Sequence, residues 1–229
     1  MQAQSIIFSG QRRALGVAPG PGAEGGEILQ ALGLSASMPV MVVVGGAAQV
    51  QADHAATIRS AALALCEAAQ SEGSAIIDGG TASGVMAALG EIYATAQHNF
   101  PLIGVAVAQL VHFPGHEPRS ARAGLEQHHT HFVLVPGEKW GDESVWLAQL
   151  AAVLAGDFPA LTVLINGGEV SRNDVNLSLA RRRPVLLIQG TGRLADELAG
   201  KARPSLLHVV SAHDPDQITT AVRTFLRRK

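Results

Sequence analysis

The hydrophobic positions along the chain fall into two alternating kinds of segment. Short continuous runs of β-branched and aliphatic residues occur at 40–44, 75–77, 102–107, 132–135, 161–165, 185–188 and 206–210. Such runs predict strands buried on both faces of a sheet. Longer stretches, several of them alanine-rich, lie between or after them at 54–70, 83–97, 144–154, 171–181, 193–199 and 215–228. In 83–97 the residues Val85, Met86, Leu89, Ile92 and Tyr93 recur at helical spacing. Asp53 is placed to cap the helix at 54–70. Upstream, 6–8 and 15–17 predict two small strands around Gly10, and 27–32 a short helix stopped by Gly33. Residues 18–26 hold too many glycines and prolines for a helix. Residues 111–127, with two prolines, two glycines and mixed charges, predict a long surface loop.

Strand–helix alternation repeated this often predicts an α/β fold. The expected form is a Rossmann-like, doubly wound, mostly parallel sheet with helices on both faces. No linker rich in Pro, Gly or Ser interrupts the middle of the chain. Residues 1–229 are therefore expected to form a single domain, with 1–35 as an N-terminal flap on it.

Composition narrows the function classes. At 47% hydrophobic residues and a mean hydropathy of +0.21 the chain can fill a core, which excludes wholesale disorder. Seventeen Lys+Arg against nineteen Asp+Glu give 17 − 19 = −2. That balance, without basic blocks, argues against nucleic acid or anionic lipid as a partner. No apolar run approaches the ~20 residues of a membrane span. The charges of the N-terminus follow its apolar stretch, the reverse of a secretory signal. A soluble, cytoplasmic chain is expected, and a homodimer is the general prior for soluble oligomers. Cys66 stands alone, so an internal disulfide is excluded, and it reads as a small core residue.

The 25 glycines are clustered, and four clusters follow strands and open helices: Gly45-Gly46, Gly79-Gly80, Gly167-Gly168 and Gly190–Gly192. In a doubly wound sheet those carboxyl ends face one ligand crevice. Glycine lets backbone approach a ligand, and helix starts favour anions such as phosphate. A nucleotide-like ligand is the inference. The segment GGTASGVM lacks the Lys of a P-loop, Gly79-Gly80…Gly84 is not GxGxxG, and no GxSxG elbow occurs.

Taken together, AIIDGGTASGVMAALGE (75–91), PLIGVAV (101–107), HTHFVLVPGEKWG (129–141) and LTVLINGGEV…RRRPVLLIQGTGRLADELA (161–199) resemble the N-terminal homology region of TRPM cation channels. The order and spacing agree from about 40 to 199. Without channel segments, the sequence resembles the stand-alone prokaryotic relatives of that region, the SLOG (LSDAT) family. The resemblance implies a Rossmann-like fold and a sensor of nucleotide derivatives, with ADP-ribose the ligand in some channels. It implies that Gly45, Gly46 and Ala47 form a first glycine turn against the ligand. Gly79, Gly80, Thr81, Gly84 and Val85 match the phosphate-side turn. Trp140-Gly141 falls where an ADP-ribose binder has Tyr-Gly, an aromatic for stacking on a base. Gly190, Thr191, Gly192 and Arg193 match a GSGR loop whose arginine would clamp a diphosphate. Two departures stand out. Leu147 replaces a ligand-binding arginine, and Asn166 replaces the glutamate of EGG in the turn that continues as Gly167 and Gly168.

Each residue also has a structural reading. Arg193 would pair with Asp196 or Glu197, and Trp140 would anchor a loop. His128, His129 and His131, with His112 and His116, are the only candidate metal cluster. The HTHF stretch belongs to the scaffold in the related channels, so no metal is assigned. His131 or His129 is a candidate donor to phosphate or ribose. Asp78, Glu91, Glu169 and Asp174 are the candidate acids, with Glu169 placed for a ribose hydroxyl. The run Arg181–Arg183 reads as a solvated helix end.

The leading expectation is a cytoplasmic sensor for an ADP-ribose- or NAD-related nucleotide, without a resident cofactor. The second is an enzyme cleaving an N-glycosidic bond, with Glu169 as the residue to test. The PGGxGTxxE signature of phosphoribohydrolases in the wider superfamily is absent, since the chain reads INGGEVSRND. The third is a scaffold whose site binds nothing.

Overall fold

The computed structural model describes residues 1–46, 52–201 and 205–227. Nine strands form one sheet. In chain order they are Gln4–Ile7 (β1), Arg13–Val17 (β2), Val40–Gly45 (β3), Ala75–Asp78 (β4), Leu102–Val107 (β5), His131–Val135 (β8), Ala160–Ile165 (β9), Val185–Gln189 (β10) and Leu207–Ser211 (β11). Two short strands outside it, Val111–His112 (β6) and Ala123–Gly124 (β7), pair with each other. The order across the sheet is β1-β2-β8-β5-β4-β3-β9-β10-β11. Every pairing in it is parallel except the β1–β2 hairpin. The fold is thus Rossmann-like, as its alternating pattern implies. Residues 1–17 supply the two strands at one edge of this same sheet.

The helices are Gly25–Ala31 (α1), Ala52–Glu72 (α2), Gly84–Thr95 (α3), Ser144–Ala155 (α4), Glu169–Ala180 (α5), Arg193–Ala199 (α6) and Pro215–Leu226 (α7). They divide between the sheet's two faces because successive strand residues point to opposite sides. Val40, Val42 and Val44 of β3 pack with Leu150 and Leu154 of α4, Val175 of α5 and Leu194 of α6. Met41 and Val43 pack with the alanine-lined face of α2, with Leu89 of α3 and with Ile218 of α7. Small residues on α2 let that helix lie close over the sheet. α7 shows how sequence sets a boundary. Asp214 accepts from the Gln217 amide at 2.9 Å, and Pro215 occupies the first turn.

Three expectations are corrected. Asp53 is not a cap, because α2 already includes Ala52 and the helix runs through position 53. Residues 111–127 are not a plain surface loop. β6 and β7 pair there, and Val111, Leu125 and Glu126 are buried. Val111 and Leu125, which lie on either side of the two prolines, anchor the segment to the core. Arg183 is not solvated. Arg182 adopts φ +57, which turns the chain inward, and Arg183 Nη2 donates to the Ala148 carbonyl at 2.9 Å. Burial, with Arg181 nearby, pulls its pKa down to about 10.

A cleft at the switch point

β3 is where strand order reverses. The chain leaves β3 for β4, β5 and β8 on one side, and then returns to β9 on the other. Loops that depart in opposite directions leave a crevice between them, and ligands of doubly wound proteins bind there. In this chain a cleft of about 670 Å³ occupies that place. Gly45 and Gly46 line it from the end of β3, and Gly79, Thr81 and Ser83 from the end of β4. Gly168, Glu169 and Asp174 line it from α5 and its cap, Arg193 from α6, Trp140 and Glu143 from the segment leading into α4, and Leu147 from α4 itself. Arg122, from the segment before β7, completes the rim.

The glycines there are required by close approach. A Cβ on Gly46 would stand 2.6 Å from Asn166 Oδ1, and one on Gly168 would stand 2.8 Å from Arg193 Nη2. The Arg193 guanidinium therefore lies over bare backbone. Neither Asp196 nor Glu197 pairs with it. Asp196 instead accepts from the amides of Gly190 and Gly192 at 2.6 and 3.0 Å, while Glu197 pairs with Arg172 and Lys201. Among the described residues Arg193 has no ion-pair partner.

The other candidates separate into cleft walls and supports. Ala47 lies outside the described residues. Gly80, with φ +63, brings its Cα against that of Gly104 in β5, where a Cβ would stand 2.8 Å away. Gly84 starts α3 with φ +55. Val85 is fully buried and packs under Gly45, away from the cleft. Gly141, with φ +103, carries the turn beyond Trp140, and its amide donates to Glu143 Oε2 at 2.8 Å. Gly167, Gly190 and Gly192 all have positive φ and shape the turns after β9 and β10. Thr191 is wholly buried. Its hydroxyl donates to the Ile188 carbonyl at 2.7 Å and accepts from the Asn166 amide at 2.8 Å. Asn166 Nδ2 donates to the Thr191 carbonyl at 2.6 Å. These two residues clamp the β9 and β10 turns together rather than touching the cleft.

His131 does not reach the cleft. It begins β8, in register with Leu15 of β2 and Ile103 of β5, two strands aside from the β4 end that carries the Gly79–Thr81 turn. Burial lowers its pKa, only partly countered by the Leu32 backbone. Glu169 sits on the rim with its side chain 87% exposed, facing Arg172 at 3.5 Å.

His129 has an unforeseen role. Its Nε2–H donates to Asp78 Oδ1 and its Nδ1–H to Glu126 Oε2, both at 2.9 Å. Burial alone would lower its pKa, but Asp78 and Glu126 outweigh that and hold it at about 9. Glu126 also accepts from the ring of His128, whose other side meets Arg12. Asp78 accepts in turn from the Gly80 amide at 2.7 Å, and the Glu126 amide donates to the Gly80 carbonyl at 2.9 Å. A buried charge network thus fixes the Gly79–Thr81 turn from below.

Besides the exposed Glu169, two buried acids line the cleft. Glu143 and Asp174 are 8% and 9% exposed. Burial raises the Asp174 carboxyl to about 7, with the Ser144 hydroxyl opposing and the Glu143 charge adding. Burial also raises Glu143, with the Asp142 charge adding and backbone amides opposing. Glu143 and Arg122 carried no sequence signal, since neither lies in a glycine turn. Asp174 was visible only as a candidate acid.

Fold and cleft define an α/β protein of the doubly wound class, with a concave site at the carboxyl edge of its parallel sheet. The family model described as SLOG in TRPM, prokaryote, matches residues 38–224. The chain belongs to that family. The X-ray structure of TM1055, a structural genomics target, is similar with a TM-score of 0.54 at 18% identity, over 80% of this chain and 99% of that one. The molybdenum cofactor binding protein of the phototrophic bacterium Rippkaea orientalis is similar with a TM-score of 0.51 at 15% identity, over 81% of this chain and 97% of that one. At such identities these likenesses concern the fold.

Proposed function

We propose that the chain binds a nucleotide derivative of the ADP-ribose or NAD type in the switch-point cleft and acts as a sensor of it. The observation that carries this reading is Arg193, an ion without a counter-ion among the described residues, held over Gly168 and Gly46 at the cleft. A guanidinium in that position suits a bidentate phosphate. α3 opens onto the same cleft behind Ser83, whose side chain makes no capping bond; the Val85 amide donates to the Gly46 carbonyl, which leaves the Gly84 and Met86 amides of the first turn for phosphate oxygens. Trp140, 38% exposed, offers a ring for a base. A solved neighbour of this fold is a molybdenum cofactor binding protein, which supports small-molecule capture as a use of the architecture. The cleft volume is within the usual range for such sites.

Thermal unfolding with ADP-ribose, cyclic ADP-ribose, NAD, AMP and ATP tests the reading. Ligand at 100 times its Kd stabilises by about 2.7 kcal/mol. For a chain this size the midpoint should rise by roughly 5–10 °C. The expected result is a shift with one class of compound, lost in Arg193→Ala. No shift with any of them at millimolar concentration overturns the reading.

A further inference from the structure

The cleft is electrically divided. Arg193 meets the start of α5 at Gly168. Asp174 lies six residues further along the same helix, about 9 Å on at the usual rise. Glu143 faces the cleft close enough for its charge to act on Asp174. Neither carboxylate has an ion-pair partner among the described residues, although both are nine-tenths buried. Two acids drawn out of water without a cation are costly unless something neutralises them. Trp140 lines the same cleft, three residues before Glu143, with part of its ring open to solvent. An aromatic face beside carboxylates is the usual physical solution for holding an organic cation.

We propose that Glu143, Asp174 and Trp140 form a cation subsite, so that the cleft takes a phosphorylated ligand whose other end carries a positively charged ring or amine. This rests on the phosphate reading of Arg193. It goes further by naming the charge of the far end. A ligand with phosphate alone satisfies half the site. A dipolar ligand neutralises Arg193 and the acid pair together.

NAD and NADH separate these cases. They share both riboses and the diphosphate, and differ in the charge of the nicotinamide ring. Titration calorimetry should show NAD binding about tenfold more tightly than NADH or ADP-ribose, a difference of about 1.4 kcal/mol. The preference should disappear in the Glu143→Gln/Asp174→Asn double variant, through loss of NAD affinity relative to ADP-ribose. Asp174→Asn alone serves if the double variant unfolds. Equal affinities for NAD, NADH and ADP-ribose overturn the cation subsite and leave nucleotide binding standing. If none of the three binds, the phosphate reading fails, and the subsite is read with 1-methylnicotinamide against neutral nicotinamide. Quenching of tryptophan fluorescence by the cation only, lost in the double variant, supports the subsite. Absence of quenching by the cation overturns it.

Discussion

The Nε2–H of His129 donates to Asp78 Oδ1 over 2.9 Å, with both side chains wholly out of water. The same imidazole donates to Glu126, so it is held as a cation between two carboxylates. This joins the strand before the Gly79–Thr81 turn to the segment entering β8. The turn that forms one wall of the cleft is thereby fixed by a charge cluster behind it.

That cluster sets a pH dependence. The folded pKa of His129, about 9, lies above the ordinary 6.5. Its contribution to stability is complete below pH 6.5 and is lost as pH rises through about 9, because the folded state then holds a proton the unfolded chain has released. Thermal midpoints measured from pH 6 to 9.5 should fall over that window. In His129→Gln, itself less stable at pH 6, this fall should be much reduced.

Asp174 acts at lower pH. Its carboxyl is raised from 3.8 to about 7, so the folded chain keeps a proton the unfolded chain loses between those values. Stability falls as pH rises from 4 to 7, and the penalty is complete above 7. Asp174→Asn removes the penalty. The variant should melt above the parent at pH 8, by roughly 2–4 °C for each 1 kcal/mol relieved. Its advantage should shrink toward pH 4.

Gly104 is a packing constraint on the site. A Cβ there would stand 2.6 Å from the Gly80 Cα and 2.8 Å from the Phe132 ring. Gly104→Ala should destabilise by about 1–3 kcal/mol, as overpacked cores do. Chemical denaturation measures this, and any nucleotide affinity should fall in the same variant because the Gly79–Thr81 turn must shift.

Arg193 should separate binding from folding. It is exposed and makes no ion pair among the described residues. Arg193→Ala should leave the thermal midpoint of the free protein within about 1–2 °C, as surface changes do. Nucleotide affinity should weaken about 10–100-fold, the loss of hydrogen bonds to a charged group.

Cys66 should be inert. It is fully buried on α2, and burial, with Asp78 and Glu67 adding, pushes its thiol to about 12. Iodoacetamide at pH 8 should leave the native chain unlabelled and modify it once unfolded.

The order of strands and helices was legible because it is written in local periodicity. Val40–Gly45 and Leu102–Val107 are continuous apolar runs, and no other structure buries both faces so readily. The glycine turns were legible too, and Gly45, Gly46, Gly79 and Gly168 do wall the cleft. What misled was proximity in sequence. His131 lies two residues from His129, yet it packs within β8 and does not line the cleft, whereas His129 anchors a turn from below. Glu169, which adjoins a glycine pair, does line the cleft, at its rim, with its side chain exposed and turned to Arg172.

The sequence by itself determined the class of fold and the edge of the sheet that carries the cleft, because strand ends and turn residues are neighbours along the chain. Tertiary structure alone decided the charges of the site. Glu143 meets Asp174 only when α4 packs beside α5, and His129 reaches Asp78 only when β8 and β4 flank β5. Burial, which raises both acids, and the paired carboxylates, which raise the imidazole, are properties of that packing and of no residue alone.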